Sequence, residues 1–113
     1  MNSTYIKNIP HEQIITLASQ VEVQTRQVVS KTLAQNEALN ITVFSFDKGK
    51  EIGTHGSSGD VMVTVLQGIG KFVVNGEEFI LKQGETLVMP ANKPHSVFAK
   101  EAFKMLLVVV FHI

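Results

Sequence analysis

From Val21 onward the chain is a succession of short apolar runs, separated by turn residues every 8 to 12 positions. Within most runs apolar and polar residues alternate with a period of two, which is the period of a half-buried β-strand. No long helical pattern lies between the runs, so a parallel sheet with crossover helices is not expected. About eight such strands in a chain of 113 residues predict an all-β sandwich or small barrel.

One turn is specified by its own residues. Asn75-Gly76 stands between the apolar runs "KFVV" and "EEFIL". Both residues readily adopt positive φ, as a two-residue type I′ turn requires. We therefore predict a β-hairpin centred on this pair.

The N-terminal region has a different pattern. Residues 9–18, "IPHEQIITLA", predict one or two helical turns, with Pro10 at the first helical position and Ile14, Ile15 and Ala18 as an apolar stripe. Strand alternation begins at Val21 in "VEVQTRQVVSKTL". The expected organisation is an N-terminal arm over residues 1–20 and a β-barrel over residues 21–113.

Composition excludes several classes of function. The chain has no cysteine, which removes disulfides, thiolate zinc sites and cysteine nucleophiles. Ten Lys and Arg balance ten Asp and Glu, so no basic surface for nucleic acid is expected. The longest apolar run, Met105 to Phe111, has seven residues, whereas a membrane-spanning helix needs about 20. With no apolar signal-peptide core at the N-terminus, the chain is predicted to be a soluble cytoplasmic protein without nucleic-acid or membrane partners.

The last strand, "FKMLLVVVF", is apolar on both faces. An antiparallel strand with one wet face alternates apolar and polar residues, so both faces of this strand are expected to be covered. We predict a homodimer that covers the second face. The alternative cover is the N-terminal segment from Ile6 to Leu17.

Two stretches place a histidine in a glycine-rich turn next to a strand. They are "GKEIGTHGSSGDVMVTVLQG", with His55, and "GETLVMPANKPHSVF", with His95. They resemble, in this order, the two sequence motifs of the cupins, which are double-stranded β-helix (jelly-roll) barrels. The first motif reads G-x5-H-x-H-x3,4-E-x6-G, and the second reads G-x5-P-x-G-x2-H-x3-N. Gly49, His55 and Gly68 match the first motif, and Gly84, Pro90 and His95 match the second. The resemblance implies an all-β jelly-roll cupin barrel with a short N-terminal segment.

The chain departs from these motifs at four positions, and the first two of them hold the metal in many cupins. Ser57 stands where the second histidine is expected, and Val61 where the glutamate is expected. Asn92 replaces a glycine, and Ala99 replaces the closing asparagine. The chain is also similar to small single-domain bacterial cupins that share "FDKG", "MPA-x-x-PH" and "FKMLL" segments and have no assigned activity.

His55 and His95 are therefore candidate ligands of one divalent transition metal (Fe, Mn, Ni or Zn). A catalytic metal normally takes three protein ligands plus water, and so does the 2-His-1-carboxylate iron site. Asp60, His11 and His112 are the residues considered as further ligands. Asp60 would need a bulge at Gly59 to turn inward, and its alternative role is to hydrogen-bond the Gly56–Gly59 turn.

Three hypotheses for function follow. The leading one is a small-molecule-binding barrel, with or without a weakly held metal. Its predicted pocket is lined by His55, Ser57, Val61, Val63, His95, Val97 and Phe103. The alternative is a metal-dependent oxygenase or isomerase that acts on a small polar substrate. The third is a dimeric interaction module whose pocket is filled by its own side chains. No catalytic residue is identified.

Overall fold

Nine strands and one short 3-10 helix make up the computed structural model, which describes residues 5–112. The 3-10 helix covers Leu17–Gln20. The strands are β1 Val28–Gln35, β2 Leu39–Phe46, β3 Glu51–His55, β4 Asp60–Gln67, β5 Ile69–Val74, β6 Glu77–Lys82, β7 Thr86–Met89, β8 His95–Ala99 and β9 Phe103–Val110. Among the described residues, no helix is long and apolar enough to cross a membrane.

The strands form two antiparallel sheets that pack face to face. One sheet has the order β1-β2-β9-β4-β7, and the other has the order β3-β8-β5-β6. Most hydrogen-bonded neighbours are distant in sequence, as the crossing connections of a jelly roll require. The predicted all-β jelly-roll fold is confirmed.

The core lies between the sheets and follows the strand period. On β4, Val61, Val63 and Val65 point inward and are at most 3% exposed. The rings of Phe46 and Phe103 stack across the β2–β9 pair, with their centroids 4.7 Å apart. Full burial of one such side chain contributes about 1.5–3 kcal/mol to stability, so this interior holds the two sheets together.

The predicted hairpin is confirmed, because Asn75 and Gly76 have φ angles of 50° and 84°. A motif glycine is also explained by its surroundings. Gly68, between β4 and β5, has a φ of 82°, and a Cβ there would lie 2.2 Å from the Ala102 carbonyl oxygen. Only glycine allows the chain to turn this close to the start of β9.

Three predictions about the chain's elements are wrong. Residues 9–18 are not a helix, and Ile14, placed in its apolar stripe, is fully exposed. One or two turns without a packing partner do not repay the cost of helix nucleation. The first strand begins at Val28 rather than Val21. Strand β3, with four of its five residues exposed, was taken for a turn because it lacks an apolar signature.

Residues 21–27 leave the strand pattern because of a local turn. Arg26 adopts a φ of 60°, and the Gln27 amide donates to the Gln24 carbonyl oxygen at 3.1 Å. The Asp47 carboxylate accepts hydrogen bonds from the backbone amides of Arg26 and Lys48, which lowers the pKa of that carboxyl. These contacts hold the start of the barrel in place.

The N-terminal segment packs on the outer face, which is the side of the five-stranded sheet turned away from the core. Ile9, Leu17 and Val21 form a second apolar cluster there with residues that include Val43 and Leu106. Two polar contacts also anchor the segment to this face. They are Lys104 Nζ to the Ala18 carbonyl oxygen and Ser45 Oγ to the Glu22 carbonyl oxygen, each at 2.7 Å.

This packing covers part of the second apolar face of β9. The N-terminal segment, offered as the alternative cover, does shield Leu106. Further along β9, Val110 is 58% exposed. The homodimer stays a prediction. The division into an arm over residues 1–20 and a barrel over residues 21–113 also stays one, and residues 1–4 and 113 lie outside the described residues.

Candidate functional site

His55 and His95 lie side by side in one sheet. His55 is the last residue of β3, His95 is the first residue of β8, and the two are register partners. His95 therefore comes from the strand beside His55 and not from the opposite sheet. Pairing across adjacent strands brings the two imidazoles into contact, with ring centroids 4.3 Å apart and an interplanar angle of 72°.

The two rings are hydrogen-bonded directly, with 3.1 Å between the Nε2 atoms. His55 Nδ1 lies 2.9 Å from the Gly53 carbonyl oxygen. A carbonyl oxygen only accepts, so this Nδ1 carries the proton, and Nε2 of neutral His55 is the acceptor. We therefore assign the proton between the rings to His95 Nε2. His95 Nδ1 is then unprotonated, and it is buried without a hydrogen-bond partner among the described residues.

Burial makes His95 a weaker base than an ordinary histidine. Its side chain is only 4% exposed, and the loss of hydration lowers its pKa below the usual 6.5. The charge that His55 can carry lowers this pKa further, and the Lys93 backbone partly offsets both effects. His55 is exposed, so the pair joins a buried ring to one that solvent reaches.

The two rings form one wall of a cavity of about 310 Å³ between the sheets. Four of the predicted pocket residues line it: His55, Ser57, Val61 and His95. Asn40, Thr42, Phe44, Gly56, Leu107 and Val109 also line it, and none of these was predicted. Val63, Val97 and Phe103, which were predicted, do not. Each is at most 3% exposed and lies in the core deeper between the sheets.

Ser57 reaches the cavity from a loop. Strand β3 ends at His55 and β4 begins at Asp60, so Ser57 belongs to neither strand. Ser57 Oγ accepts a hydrogen bond from the Gly59 amide at 3.1 Å, and its carbonyl oxygen accepts one from the Asn92 amide at 2.7 Å. Asn92 has a φ of 64°, which explains why the residue that replaces a motif glycine is asparagine.

The remaining polar groups of the cavity come from β2. Thr42 Oγ1 donates to Asn40 Oδ1 at 2.6 Å. Strand parity is the signal that would have found them. Phe44 and Phe46 pack against the core, so Thr42 and Asn40 also face inward, as even-numbered neighbours on the same strand.

A family model described as a cupin domain matches residues 42–111 of the chain. This match covers more than half of the chain, including both histidines and most of the cavity. The chain belongs to the cupin family. No curated protein matches it.

Several solved structures are similar to this chain. A conserved protein of unknown function from Streptococcus pyogenes is 47% identical, with 98% of this chain and 97% of that one covered and a TM-score of 0.96. A cupin superfamily protein from Desulfitobacterium hafniense is 33% identical, with 95% and 98% covered and a TM-score of 0.91. Salicylate 1,2-dioxygenase from Pseudoaminobacter salicylatoxidans is 22% identical, with a TM-score of 0.68. The match covers 74% of this chain and 25% of that one, and this likeness shows the fold alone.

The donor set of this cupin suits a two-histidine chelate better than a complete metal centre. An Nε2–Nε2 separation of 3.1 Å is close to that of two neighbouring ligands held at about 2.0–2.1 Å from one ion. Over residues 5–112, however, no group of three or more His, Cys, Asp or Glu side chains is placed to hold a metal.

The three residues considered as further ligands are engaged or placed elsewhere. Asp60 Oδ1 accepts a hydrogen bond from the Ala91 amide at 2.8 Å. His11 Nε2 lies 2.7 Å from the Ile6 carbonyl oxygen in the N-terminal segment, and His112 is exposed beyond the end of β9. A third ligand near the histidine pair would therefore be a neutral oxygen of the cavity lining, a water or a bound molecule.

Proposed function

We propose that this cupin binds a small organic acid in the cavity beside His55 and His95. The observation that carries the proposal is the cavity itself, which reaches both imidazoles and is otherwise mostly apolar. A concave apolar site with a few convergent polar groups is the usual form of a small-molecule site. Its volume of about 310 Å³ is at the lower end of the range for such sites, so the ligand is small.

The lining favours a molecule with one polar end. Phe44, Leu107 and Val109 offer an apolar surface, while the histidine pair and Thr42 lie at polar positions of the same cavity. When both rings are neutral, the one proton between them already serves the hydrogen bond from His95 Nε2 to His55 Nε2. A carboxylate is therefore bound best when the pair takes up one further proton, which supplies both the balancing charge and a donor.

The proposal is tested with two probes of nearly equal size, benzoate and benzamide. Thermal unfolding is measured with each probe at pH 6 and pH 8. Benzoate is expected to raise the melting temperature, because binding to the folded state stabilises it. The rise is expected to be larger at pH 6, where the histidine pair takes up the further proton more readily. His55→Ala is expected to remove the effect, whereas His112→Ala, at an exposed histidine elsewhere, keeps it. Equal shifts with the two probes, or a full benzoate shift in His55→Ala, would contradict the proposal.

A divalent metal held by His55 Nε2 and His95 Nε2 is the second candidate, favoured by the 3.1 Å between these atoms. Such an ion would supply Lewis-acid chemistry, as the hypothesis of an oxygenase or isomerase acting on a small polar substrate requires. Only two protein ligands would hold it, so the expected affinity is modest.

Elemental analysis of tag-free protein after incubation with Fe, Mn, Ni or Zn tests this candidate. His55→Ala is expected to lose the bound metal. Repeating the benzoate measurement in EDTA separates the two candidates, because acid binding to the imidazoles alone persists when metal is removed. An unchanged metal content in His55→Ala would rule out the histidine chelate.

The third hypothesis, an interaction module without a working pocket, predicts a cavity filled by its own side chains. An open cavity beside both histidines counts against it.

A further inference from the structure

The cavity has a second polar wall, opposite the histidine pair. This wall belongs to β2 of the five-stranded sheet, whereas His55 and His95 belong to β3 and β8 of the other sheet. Asn40 and Thr42 are its polar residues, and both line the cavity. Because the two sheets pack face to face, a molecule between them can contact polar groups on both sides.

Next to this polar pair, the cavity wall is apolar. In register, Asn40 pairs with Val109 and Thr42 pairs with Leu107, and both partners are residues of β9 that line the same cavity. A ligand whose apolar part lies on the β9 surface therefore has the amide and the hydroxyl of β2 at its edge.

The hydrogen bond within the pair determines which groups β2 offers to a ligand. Thr42 Oγ1 donates its one proton to Asn40 Oδ1, and the two oxygens are 2.6 Å apart. This bond fixes the orientation of the Asn40 amide, since Oδ1 accepts from Thr42 and Nδ2 carries the two amide protons. Within residues 5–112, Nδ2 donates to no protein group, so its protons are available to a molecule in the cavity.

We propose that Asn40 Nδ2 is a second polar contact for the ligand, and that the ligand carries a neutral oxygen acceptor in addition to its acid group. This inference rests on the proposed function, because it concerns the same cavity and the same class of small acid. None of the described residues that line the cavity is a Lys or an Arg. A second carboxylate would therefore be buried without a counter-charge, whereas an ether or carbonyl oxygen can accept from the amide at no such cost.

Two probes that differ at one position test the proposal. 3-Methoxybenzoate has an ether oxygen where 3-ethylbenzoate has a methylene group, and the two are nearly equal in size. Calorimetric titration of the full chain at pH 6 measures both dissociation constants, and the 4-substituted pair is measured in the same way. In at least one of these pairs the methoxy acid is expected to bind about fivefold more tightly, which is the gain from one net hydrogen bond.

Two substitutions of Asn40 are expected to remove this preference. Asn40→Leu has a similar volume and no donor. Asn40→Asp keeps the shape of the side chain and still accepts from Thr42, but it has no N–H group, and it serves if melting curves show that Asn40→Leu does not fold. Gln67→Leu is the matched control, since Gln67 is an exposed amide at the end of β4 and does not line the cavity. This variant is expected to keep the preference.

The possible outcomes separate this inference from the proposed function. Benzoate binding without any preference for the methoxy acids would overturn the role of Asn40 and leave the proposed acid site standing. A preference that survives in the Asn40 variants, or one that Gln67→Leu abolishes, would overturn that role equally. If neither benzoate nor any substituted acid binds, the proposed function fails, and this inference fails with it.

Discussion

His95 is buried and touches a second imidazole, and its Nδ1 has no hydrogen-bond partner among residues 5–112, so protonating this ring is unfavourable in the folded protein. The motif spacing singled out both histidines, because the glycines and the proline around them remain, and the structure places the two side by side. Neither the direct bond between the rings nor the polar wall of Asn40 and Thr42 was predicted, since both arise from pairing between strands distant in sequence.

The lowered pKa of His95 predicts a loss of stability in mild acid. The unfolded chain takes up a proton near pH 6.5, whereas the folded protein takes it up only at lower pH. The stability from a neutral His95 is therefore complete above about pH 6.5 and is lost as pH falls through this value toward the folded pKa. Urea unfolding at pH 7.5, 6.5 and 5.5 measures the effect.

His95→Gln is expected to flatten this pH dependence, and His112→Ala to leave it unchanged. The carboxyl of Asp47 does not interfere, because its lowered pKa affects stability only below about pH 4. A slope between pH 7.5 and 5.5 that is the same in wild type and His95→Gln would contradict the assignment.

Val61 gives a second prediction at this scale, because it lines the cavity where the motif resemblance places a glutamate. Val61→Glu is expected to strengthen Zn²⁺ or Ni²⁺ binding at least tenfold by adding a third ligand. Without metal the variant is expected to lose several kcal/mol, because Val61 is only 3% exposed and a buried carboxylate is costly. Calorimetric titration measures the affinity, and Val61→Gln, of similar size but uncharged, is the control.

Among the elements, strands with a buried face and a defined turn were predictable, and elements with neither were not. Short apolar runs bounded by turn residues located β4 to β9, and Asn75-Gly76 fixed the β5–β6 hairpin. Strand β3 escaped prediction because it is mostly exposed, although it carries His55. The predicted helix over residues 9–18 was wrong. Ile14 of its expected apolar stripe is fully exposed, whereas Ile9 and Leu17, outside that stripe, pack on the sheet.

The hairpin supplies a prediction at the element scale. Gly76→Ala is expected to cost about 1 kcal/mol, because an alanine at a φ of 84° is strained. No atom lies within 4 Å of the added Cβ, so the loss is conformational and not a clash. Gly53→Ala is the control, since its Cβ also meets open space and its φ is not positive. Equal losses of unfolding free energy in the two variants would contradict the turn assignment.

Over the whole molecule, the two sheets have different tasks. Their inner faces enclose the core and the cavity, and the outer face of the five-stranded sheet carries the N-terminal segment. The fold was predictable from strand count, turn spacing and motif resemblance together. The apolar character of β9 indicated a cover for its second face, but only the structure showed that the chain itself covers part of it.

The central claim is that the two hydrogen-bonded imidazoles form one binding site for a small acid. The most direct measurement is a ¹H–¹⁵N spectrum of the imidazole nitrogens during a titration with benzoate. The chain has four histidines, so each serves as a control for the others. We predict that the Nε2 signals of His55 and His95 shift together at the same benzoate concentrations, while those of His11 and His112 stay in place. Unchanged signals from His55 and His95, or equal shifts at all four histidines, would contradict the claim.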